Sequence, residues 1–525
     1  MPARQPSSRT IPALLARALD EFPGREAIVD GSVRWTFAEL GEQIRRCAAA
    51  MIASGIRRGD RVALWAPNGH RFVVAALGAV TAGGVLVPVN TRFKGAEAGW
   101  ILGRSGARLL LVDNGFLGND YLGMLREAAP DLPQLAEVVM LNGNGEVPWE
   151  RFLARADGVQ ASGVLARGAE VTEDDTSDIF FTSGTTGRPK GVMTAHGQNL
   201  RVFDAWSSGV GLRPGDRYLV VNPMFHTFGY KAGVLACLMR GATIVSQAVF
   251  DPEQALKLIA AERVTVMPGP PSLYASVLDH PARAVMDLSS LRLAVTGASV
   301  VPVRLVERMR AELFPEVVIA YGLTESCGTV TVGDRDADAE TISSTVGKAI
   351  AGTEVIVADR DGNPLPPGAS GEVLVRGYNV MRGYFGEPEA TAAAIDPRGW
   401  LHTGDVGVLD GDGNLRITDR LKDMFTVGGF NAYPAEIEQA ITRHEKVSEA
   451  AVVGVPDERL GEVGRAYVIP RPGAAVTEAE IIAFCRERLA NFKVPRSVRI
   501  VSALPRNASG KVLKFALRDE ARSEP

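Results

Sequence analysis

Residues Phe181 to Val192 read FTSGTTGRPKGV, and they decide how the rest of the chain is interpreted. The positions from Thr182 to Gly191 hold three glycines, three threonines and one serine. Small residues let the backbone approach a ligand closely, so several N–H groups can point at one anion. Hydroxyl donors and a cation complete the set: Thr182, Ser183, Thr185, Thr186 and Lys190. The stretch predicts a loop that binds a polyphosphate, although its composition alone is equally typical of a solvated linker.

This loop differs from two common nucleotide-binding motifs. The P-loop motif requires Gly-Lys followed by Ser or Thr, whereas Lys190 follows Pro189 and precedes Gly191. Proline has no N–H group to offer an anion. The stretch also lacks the G-x-G-x-x-G spacing of dinucleotide-binding loops. Further motifs are therefore needed before a nucleotide can be assigned.

The composition indicates a large, weakly acidic globular protein. Its 525 residues are 46% apolar and carry a formal net charge of −4. Such a chain can bury a large core and gives no general reason to expect a nucleic acid partner. Four cysteines are too far apart for a zinc or redox spacing: Cys47, Cys237, Cys327 and Cys485. We therefore expect reduced thiols, a cytoplasmic location and no secretory signal.

Apolar runs of strand length alternate with helical patterns over much of the chain. This rhythm predicts an α/β fold with doubly wound, mostly parallel sheets. The predicted strands are 61–66, 85–89, 109–112, 218–221, 243–245, 264–267, 291–295 and 317–320. Residues 113–175 are less regular and predict an excursion over the surface. The uncharged stretch 72–89 is broken by glycines and Pro88, so it predicts a buried helix and strand rather than a transmembrane segment.

The C-terminal part of the chain has a different pattern. From about residue 345 it is β-rich, with turn signals at Asp361-Gly362 and Asp412-Gly413. After about residue 421 a Gly-Gly loop is followed by predicted helices at 434–443 and 478–490, with a strand at 450–455 between them. These elements predict a separate small α+β unit.

Further strings occur in the order found in the adenylate-forming superfamily, which includes acyl-CoA synthetases, luciferases and peptide-synthetase adenylation domains. They are NPMFH (222–226), TGAS (296–299), YGLTE (321–325), WLHTGD (400–405), ITDRLKD (417–423), Gly428-Gly429 and PRNASGK (505–511). The chain resembles this superfamily over nearly its whole length. The resemblance implies a large ATP- and acyl-binding domain with a β-rich subdomain, residues 1–420, and a small mobile α+β domain, residues 421–525.

The resemblance also implies a nucleotide site. Its residues are Thr182, Ser183, Gly184, Thr185, Thr186, Lys190, Gly297, Ala298, Tyr321, Gly322, Asp405, Ile417 and Arg420. Within it Tyr321 can stack on adenine, and the Asp405 carboxylate can accept hydrogen bonds from both ribose hydroxyls. Thr324 can donate to the α-phosphate. Glu325 is an oxygen ligand that suits Mg²⁺, which prefers a carboxylate together with phosphate.

An acyl pocket is implied by the same resemblance. Its residues are His226, Phe228, Gly229, Lys231 and Ser299. A lone histidine is more often structural, but at this position we expect His226 to gate or line the pocket rather than act as a base. Lys231 departs from an apolar wall. It is either an exposed helix lysine or a donor to an oxygenated substrate.

The C-terminal strings imply two half-reactions. A carboxylate attacks ATP to give acyl-AMP and pyrophosphate, and the thiol of CoA then displaces AMP. Lys511 matches the catalytic lysine of the first step. Lys422 falls at the hinge of the family, although its charge-rich stretch could be only an exposed turn. Gly428 and Gly429 match the loop along which pantetheine passes, and rotation about the hinge would exchange this loop for Lys511.

The identity of the acid depends on the resemblance alone. HTFGYKAG (226–233) and ITDRLKDMFTVGGFNAYPAEIEQ (417–439) resemble an actinobacterial branch of acyl-CoA synthetases. That branch activates an indanedione propanoate left by steroid degradation, which implies a bulky alicyclic acid and CoA as acceptor. Relatives that use medium-chain or aryl acids share most of these strings, and a free-standing enzyme that loads a carrier protein is a further alternative. The sequence does not determine the oligomeric state, and a homodimer is compatible with it.

Overall fold

The computed structural model describes residues 9–143, 145–182, 189–297, 301–421, 423–428, 430–506 and 512–523. The chain divides into two compact units. The first is Met1–Val355 with Val375–Leu401, and the second is Ile356–Leu374 with His402–Pro525. The predicted domain boundary between residues 420 and 421 concerns which residues move together, so it stays a prediction.

The strands of the described residues follow in chain order. They are β1 (Glu26–Asp30), β2 (Val33–Thr36), β3 (Arg61–Trp65), β4 (Val85–Pro88), β5 (Leu109–Val112), β6 (Glu137–Met140), β7 (Val147–Pro148), β8 (Thr176–Thr182), β9 (Lys190–Ala195), β10 (Arg217–Val220), β11 (Thr243–Ser246), β12 (Val266–Pro268), β13 (Leu293–Gly297), β14 (Glu316–Tyr321), β15 (Thr331–Val332), β16 (Lys348–Ala349), β17 (Thr353–Ala358), β18 (Ser370–Gly377), β19 (Gly383–Tyr384), β20 (Leu401–Leu409), β21 (Leu415–Arg420), β22 (Phe425–Val427), β23 (Phe430–Ala432), β24 (Val447–Asp457), β25 (Gly461–Pro470) and β26 (Ser497–Ile500).

The helices of the described residues follow in the same way. They are α1 (Ile11–Glu21), α2 (Phe37–Ala53), α3 (His70–Thr81), α4 (Gly95–Ser105), α5 (Tyr121–Ala128), α6 (Trp149–Leu153), α7 (Ala161–Glu170), α8 (His196–Gly209), α9 (Thr227–Gly229), α10 (Ala236–Arg240), α11 (Pro252–Glu262), α12 (Pro271–Asp279), α13 (Val303–Glu312), α14 (Ala339–Ser344), α15 (Pro388–Ala394), α16 (Pro434–Thr442), α17 (Glu478–Arg486) and α18 (Lys514–Ser523). A π-helix, Tyr230–Leu235, joins α9 to α10.

Two large sheets form the frame of the first unit, as far as the described residues show. One has the order β16-β15-β14-β13-β12-β10-β11-β1-β2, and the other β19-β9-β8-β4-β3-β5-β6-β7. Neighbouring strands are parallel from β14 to β1 and from β8 to β7. The remaining pairs, at the sheet edges, are antiparallel. This confirms the predicted α/β class.

Helices cover both faces of these sheets. In β10, Tyr218 and Val220 join one hydrophobic cluster, whereas Leu219 and Val221 join another on the opposite face. β3 alternates in the same way. Because both faces are buried, such strands read as continuous apolar runs. For that reason the strands predicted from the sequence are confirmed as β3, β4, β5, β10, β11, β12, β13 and β14.

The segment 113–175 is more regular than the sequence predicted, so the expectation of a surface excursion is wrong for part of it. β6 pairs in parallel with β5, and β7 with β6, which extends the second sheet. The apolar residues of β6, Val138 to Met140, are buried. A run this short, among polar and glycine residues, carries only a weak strand signal.

Helix α2 begins with a capping box. The N–H of Glu39 donates to Thr36 Oγ1 at 3.2 Å, and the N–H of Thr36 donates to Glu39 Oε2 at 2.8 Å. These bonds satisfy backbone N–H groups that the helix itself leaves unpaired.

In the second unit the chain forms smaller sheets. Strands β20 and β21 belong to a sheet of order β17-β18-β20-β21, and the C-terminal sheet has the order β23-β22-β25-β24 with β26 on β25. The predicted Asp-Gly turns are present, with Gly362 at φ +76° and Gly413 at φ +82°. A separate hydrophobic core packs α16 and α17 against β24 and β25. The predicted small α+β unit is confirmed.

All four cysteines are free and buried. Burial raises the pKa of each thiol, to about 11 for Cys327 and Cys485. The thiols are therefore protonated near neutral pH. Among the described helices, none is both long and apolar enough to cross a membrane, and the stretch 72–89 lies in α3, a turn and β4 as predicted.

Candidate active site

The glycine–threonine stretch connects two antiparallel strands of the first unit. Thr182, the last residue of β8, lies opposite Lys190, the first residue of β9. Residues 183–188 lie outside the described residues, and with them the predicted ligands Ser183, Gly184, Thr185 and Thr186. The strand pairing therefore fixes where the loop leaves the sheet and where it returns.

Glu325, the predicted Mg²⁺ ligand, lies beside the start of this loop. It belongs to a 3₁₀ turn, Thr324–Ser326, that follows β14. Its Oε1 is 3.4 Å from Thr182 Oγ1 and 3.0 Å from the hydroxyl of Tyr384. Three oxygen-bearing side chains thus converge, and oxygen ligands suit a hard divalent cation. Thr324 in the same turn is half-buried.

Tyr384 is a site residue that the sequence analysis missed. Its hydroxyl donates to Glu325, and Lys190 Nζ lies 5.0 Å from its ring centre. Burial, followed by the negative charge of Glu325, raises the pKa of Tyr384, so the phenol stays protonated. The residue reaches the site because β19 pairs with β9, with Tyr384 opposite Val192. Nothing local in the sequence shows such a long-range pairing.

Two predicted glycines permit close backbone approach at the ends of β13 and β14. A Cβ on Gly297 would lie 2.2 Å from the carbonyl oxygen of Ala320, and one on Gly322 would lie 2.3 Å from that of Gly328. Side chains are therefore excluded at both positions unless the backbone moves. Tyr321, at the end of β14, is half-buried. Ala298 and Ser299 lie outside the described residues.

His226 is the residue that precedes α9, and it is exposed. It is nevertheless surrounded by enough protein for desolvation to lower the pKa of its imidazole. An accessible but poorly hydrated side chain is typical of the lining of a depression, which suits a ligand better than an open surface does. The neutral ring is compatible with a lining or gating role, which no contact tests.

The loop before His226 is held by Asn68, which the sequence analysis also missed. The amide nitrogen of Asn68 donates to the carbonyls of Val220, Asn222 and Gln247. Its Oδ1 accepts the N–H of Met224 at 2.7 Å. Asn68 is buried, so it links the end of β3 to the ends of β10 and β11.

Gly229 and Phe228 lie in the turn of α9. A Cβ on Gly229 would lie 2.1 Å from the carbonyl oxygen of Pro223, so the chain can fold back on itself here only with glycine. Phe228 is partly buried against the main hydrophobic cluster. Their predicted place in an acyl pocket stays a prediction.

Lys231 is fully buried, and the interpretation of an exposed helix lysine is wrong. Its side chain is 0% exposed, and Nζ lies 2.9 Å from Asp178 Oδ1. Nζ also donates to Thr194 Oγ1 at 2.8 Å. The ammonium group is thus bound to the strand pair β8–β9. Its assignment to the acyl pocket remains untested.

In the second unit the two polar residues predicted for the ribose lie opposite each other. Asp405 in β20 pairs with Arg420 in β21, and Arg420 Nε lies 2.9 Å from Asp405 Oδ1. Asp405 is buried, whereas more than a third of the arginine side chain is exposed. Ile417, on the same strand as Arg420, is half-buried.

Asp419, between these residues in the sequence, is tied to helix α16. Its carboxylate accepts the N–H of Ala435 at 2.7 Å, in the first turn of the helix, where an anion is favoured. Burial nevertheless raises the pKa of Asp419 to about 6. The charge of Lys514 and the backbone N–H groups of Ala435 and Arg420 act in the opposite direction. The carboxyl therefore titrates well above its usual range.

The remaining C-terminal predictions lie largely outside the described residues. Lys422, Gly429 and Lys511 are all in this group. Gly428 has φ +56°, a left-handed conformation that glycine adopts readily, and its N–H donates to the carbonyl of Leu460 at 2.8 Å.

A cavity of about 200 Å³ lies elsewhere in the first unit. It is lined at the beginnings of β3, β4 and β8, by Arg61, Val85 and Thr176 among others. The glycine–threonine stretch follows the opposite end of β8, so this cavity is not the predicted acyl pocket. Among the described residues there is also no cluster of three or more His, Cys, Asp or Glu side chains that could hold a metal ion. A cation at Glu325 would need ligands from a bound molecule or water.

The described residues define an α/β protein in which oxygen-bearing side chains converge where the glycine–threonine stretch leaves the sheet. Residues 15–385 match the family model described as AMP-binding enzyme, and residues 436–511 match the AMP-binding enzyme C-terminal domain. The chain belongs to the AMP-binding enzyme family.

Two curated relatives are similar along nearly their whole length. The 3-[(3aS,4S,7aS)-7a-methyl-1,5-dioxo-octahydro-1H-inden-4-yl]propanoyl:CoA ligase of Rhodococcus jostii (strain RHA1) is 52% identical over 518 residues, covering 97% of this chain and 98% of the relative. The ligase of the same name from Mycobacterium tuberculosis (strain ATCC 25618 / H37Rv) is 52% identical over 513 residues, with 97% and 99% coverage. Among solved structures, ATP-bound MatB from Rhodopseudomonas palustris is 30% identical, with a TM-score of 0.87 and coverage of 98% and 99%.

We expect Tyr384→Phe to weaken ATP binding in the presence of a divalent cation by about tenfold. The variant loses a hydrogen bond to a charged carboxylate, which contributes about 1.5–3 kcal/mol, but keeps the ring beneath Lys190. Titration calorimetry measures the affinity. Tyr378→Phe is the matched control, because it removes a hydroxyl that donates to a backbone carbonyl, that of Ala351. Equal affinities for the two variants would contradict a role for Tyr384.

We expect Asp419→Asn to change the pH dependence of unfolding. The folded pKa of about 6 lies above the usual aspartate value of 3.8, so between these values the folded state retains a proton that the unfolded state has lost. The stabilisation from this group is full at low pH and is lost as the pH rises toward and through about 6. Urea unfolding should therefore show the wild type losing stability relative to the variant between about pH 5 and pH 7.5.

Asp410→Asn provides the control for this measurement. Hydrogen bonds from Asn414 lower the pKa of Asp410 below 3.8, so its titration falls outside the tested range. Its stability difference from the wild type should not change between the two pH values. A flat difference for Asp419→Asn as well would show that Asp419 does not titrate near pH 6.

Proposed function

We propose that this protein is an ATP-dependent, AMP-forming acid:CoA ligase that makes acyl-AMP and pyrophosphate and then acyl-CoA. The observation that carries the proposal is the convergence of Thr182, Glu325 and Tyr384 where the glycine–threonine loop leaves the sheet. This convergence places an oxygen ligand for a cation next to the start of the proposed phosphate-binding loop. The named CoA ligases that match the whole chain support the same activity.

Charge repulsion is the main obstacle to the first half-reaction. A carboxylic acid is ionised near neutral pH, so no general base is needed. Its anionic oxygen must however approach the α-phosphorus of a polyanion. Catalysis then depends on positive charge and on hydrogen-bond donors placed in advance. Lys190, Thr182, Thr324 and the loop N–H groups can supply them.

Mg²⁺ fits the chemistry of the described residues. Glu325 offers one carboxylate with hydroxyl oxygens beside it, and Mg²⁺ commonly takes one or two carboxylates together with phosphate oxygens and water. Glu325 would hold the ion. When bound, Mg²⁺ would supply charge neutralisation at the phosphates. The absence of a three-ligand cluster among the described residues agrees with a cation shared with the nucleotide.

Asp405 and Arg420 are the proposed ribose-binding pair. The arginine holds one oxygen of the Asp405 carboxylate at 2.9 Å and so orients it, and carboxylate oxygens accept the hydrogen bonds of ribose hydroxyls. Ile417 would contribute an apolar contact to the adenine.

The second half-reaction is attack by the thiol of CoA on acyl-AMP. A thiol is a strong nucleophile even when only a few per cent ionised, so a dedicated base is again not required. We propose that Lys511 serves adenylation and that Gly428 and Gly429 line the path of pantetheine. Movement at Lys422 would exchange the two. A cytoplasmic location remains a prediction that suits ATP and CoA as substrates, and no contact tests a homodimer.

The proposed acid is the bicyclic propanoate named in the two relatives, carrying a methyl group and two ketones. Identity of 52% over the full length supports it. A medium-chain fatty or aryl acid is the alternative within the same reaction, and a carrier protein is the alternative acceptor. Glycine at 229 and the neutral imidazole of His226 are compatible with a bulky, weakly polar acyl group.

We expect a pyrophosphate-release screen to rank the indanedione propanoate first among steroid-derived, aryl and C4–C16 acids. A pocket shaped for a bicyclic acid should prefer it by roughly 10–200-fold in kcat/KM over acids that differ by a missing ring or methylene groups. Adding CoA or a carrier protein to the best acid identifies the acceptor by mass spectrometry. Release of pyrophosphate with none of these acids would refute the proposed function.

We expect Lys511→Ala to reduce adenylation by about 10²–10³-fold, which is typical of losing one charge-stabilising contact. Thioester formation from supplied acyl-AMP and CoA should change little, because that step does not form the new bond to phosphorus. Rapid-quench kinetics measures each half-reaction. Lys446→Ala, at a partly exposed lysine paired with Glu480, is the control and should retain both. Equal losses in both half-reactions for Lys511→Ala would contradict the assignment.

A further inference from the structure

The ion pair between Lys231 and Asp178 lies in the interior of the first unit. Both side chains are at most 1% exposed. Lys231 lies on the π-helix that follows His226, and Asp178 lies on β8. Short π-helical segments inside α-helices are frequent at functional sites. The pair therefore connects the helix of the proposed acyl site to the strand that leads into the glycine–threonine loop.

Both oxygens of the Asp178 carboxylate accept hydrogen bonds from buried donors. Thr194 Oγ1 donates to Oδ1 at 2.5 Å, and Ser177 Oγ donates to Oδ2 at 2.7 Å. Asn199 Nδ2 donates to Oδ2 at 2.6 Å. With Lys231 the carboxylate has four polar neighbours. A buried charge with this many partners can persist in the core, whereas an unpaired one could not.

This network reaches the turn that carries Glu325. The thiol of Cys327 donates to Asn199 Oδ1 at 2.9 Å, and Lys231 Nζ lies 3.8 Å from the same sulfur. Cys327 directly follows the 3₁₀ turn and has φ +60°, a left-handed conformation that is uncommon for a residue with a side chain. Such a conformation persists only where the surroundings hold it. The side chains of Lys231 and Asn199 both contact its sulfur.

Strand β8 is thus connected to this turn directly at one residue and indirectly at a second. Successive side chains of a strand alternate between its faces, so Asp178 and Thr182 share one face. Thr182 contacts Glu325 directly, and Asp178 is connected to Cys327 through Asn199 and Lys231. These two connections restrict movement of the turn along the strand.

We propose that Lys231 is a positioning residue, which with Asp178 fixes the turn from Thr324 to Cys327 so that the Glu325 carboxylate is ready for the cation bound with ATP. The inference rests on the proposed function. A buried ion pair often contributes little net stability compared with apolar residues of similar size. Its role here is to select one arrangement of three chain segments rather than to strengthen the fold.

Lys231→Met tests the proposal, because it removes the ammonium group and keeps a long side chain. We expect the dissociation constant of Mn²⁺, measured by electron paramagnetic resonance with a non-hydrolysable ATP analogue, to rise about tenfold, as for other residues that orient a metal ligand. The affinity for the analogue without metal should not change. The Mg²⁺ concentration for half-maximal pyrophosphate release should rise in parallel. A folded Lys231→Met protein with wild-type Mn²⁺ affinity would overturn the proposal.

Arg292→Met is the matched control within the same unit. Arg292, directly before β13, forms an ion pair with the buried Asp216. Loss of this ion pair should lower the melting temperature without changing the Mn²⁺ affinity. The double variant Lys231→Met/Asp178→Asn separates stability from positioning. It should melt closer to the wild type than Lys231→Met does, while its Mn²⁺ affinity stays low. Recovery of Mn²⁺ affinity in the double variant, or an equal loss in Arg292→Met, would refute the specific role.

A second pair of variants applies if Lys231→Met does not fold. Cys327→Ser keeps a donor toward Asn199, and Cys327→Ala removes it. We expect weaker Mn²⁺ binding for the alanine variant only, and equal binding by both would overturn the proposal. Mn²⁺ binding can be measured without the carboxylic acid substrate, so the result tests the positioning role separately from the proposed function. An enzyme that binds the metal as expected but adenylates no acid would refute the function alone.

Discussion

The antiparallel pairing of β8 with β9 is the constraint on which the site depends. It brings Thr182 and Lys190 to opposite positions at the sheet edge, and it supplies the edge to which β19 adds Tyr384. The carboxylate of Glu325 is contacted by Thr182 of β8 and Tyr384 of β19. Because β8 is also paired in parallel with β4, the hairpin is anchored in a sheet that helices cover on both faces. The strand residues at both ends of the loop are thereby held in the sheet.

The strands of the two large sheets were predicted well because buried parallel strands have uninterrupted apolar sequences. β10 and β14 are examples, since both of their faces enter hydrophobic clusters. Short strands such as β6 lacked that signal and were missed. Glu325 and Asp405 were predicted as site residues because each lies within a string that resembles a family motif. Tyr384 and Asn68 were not, since both act through partners more than 50 residues away.

Lys231 shows the limit of reasoning from a sequence most clearly. Its neighbours in the chain are apolar and glycine residues, which leaves an exposed lysine and a pocket donor as the available interpretations. The structure pairs it instead with an aspartate 53 positions earlier, the difference between 231 and 178. A charge in an apolar stretch predicts that a partner exists, but the sheet topology decides which residue it is. The predicted residues on the glycine–threonine loop and the lysine loop fall outside the described residues, so their roles still depend on the family likeness.

The four buried cysteines have a practical consequence for studying the second half-reaction. Each thiol is shielded from solvent, and burial raises its pKa, so the native polypeptide offers no reactive thiolate to a disulfide reagent. Chromogenic reagents such as dithionitrobenzoate would then report only the sulfhydryl of the cosubstrate. Consumption of the CoA thiol could then be followed by absorbance, and the thiols of the folded protein would add no background. Unfolding would release four further equivalents, so the same colour reaction also counts inactive material.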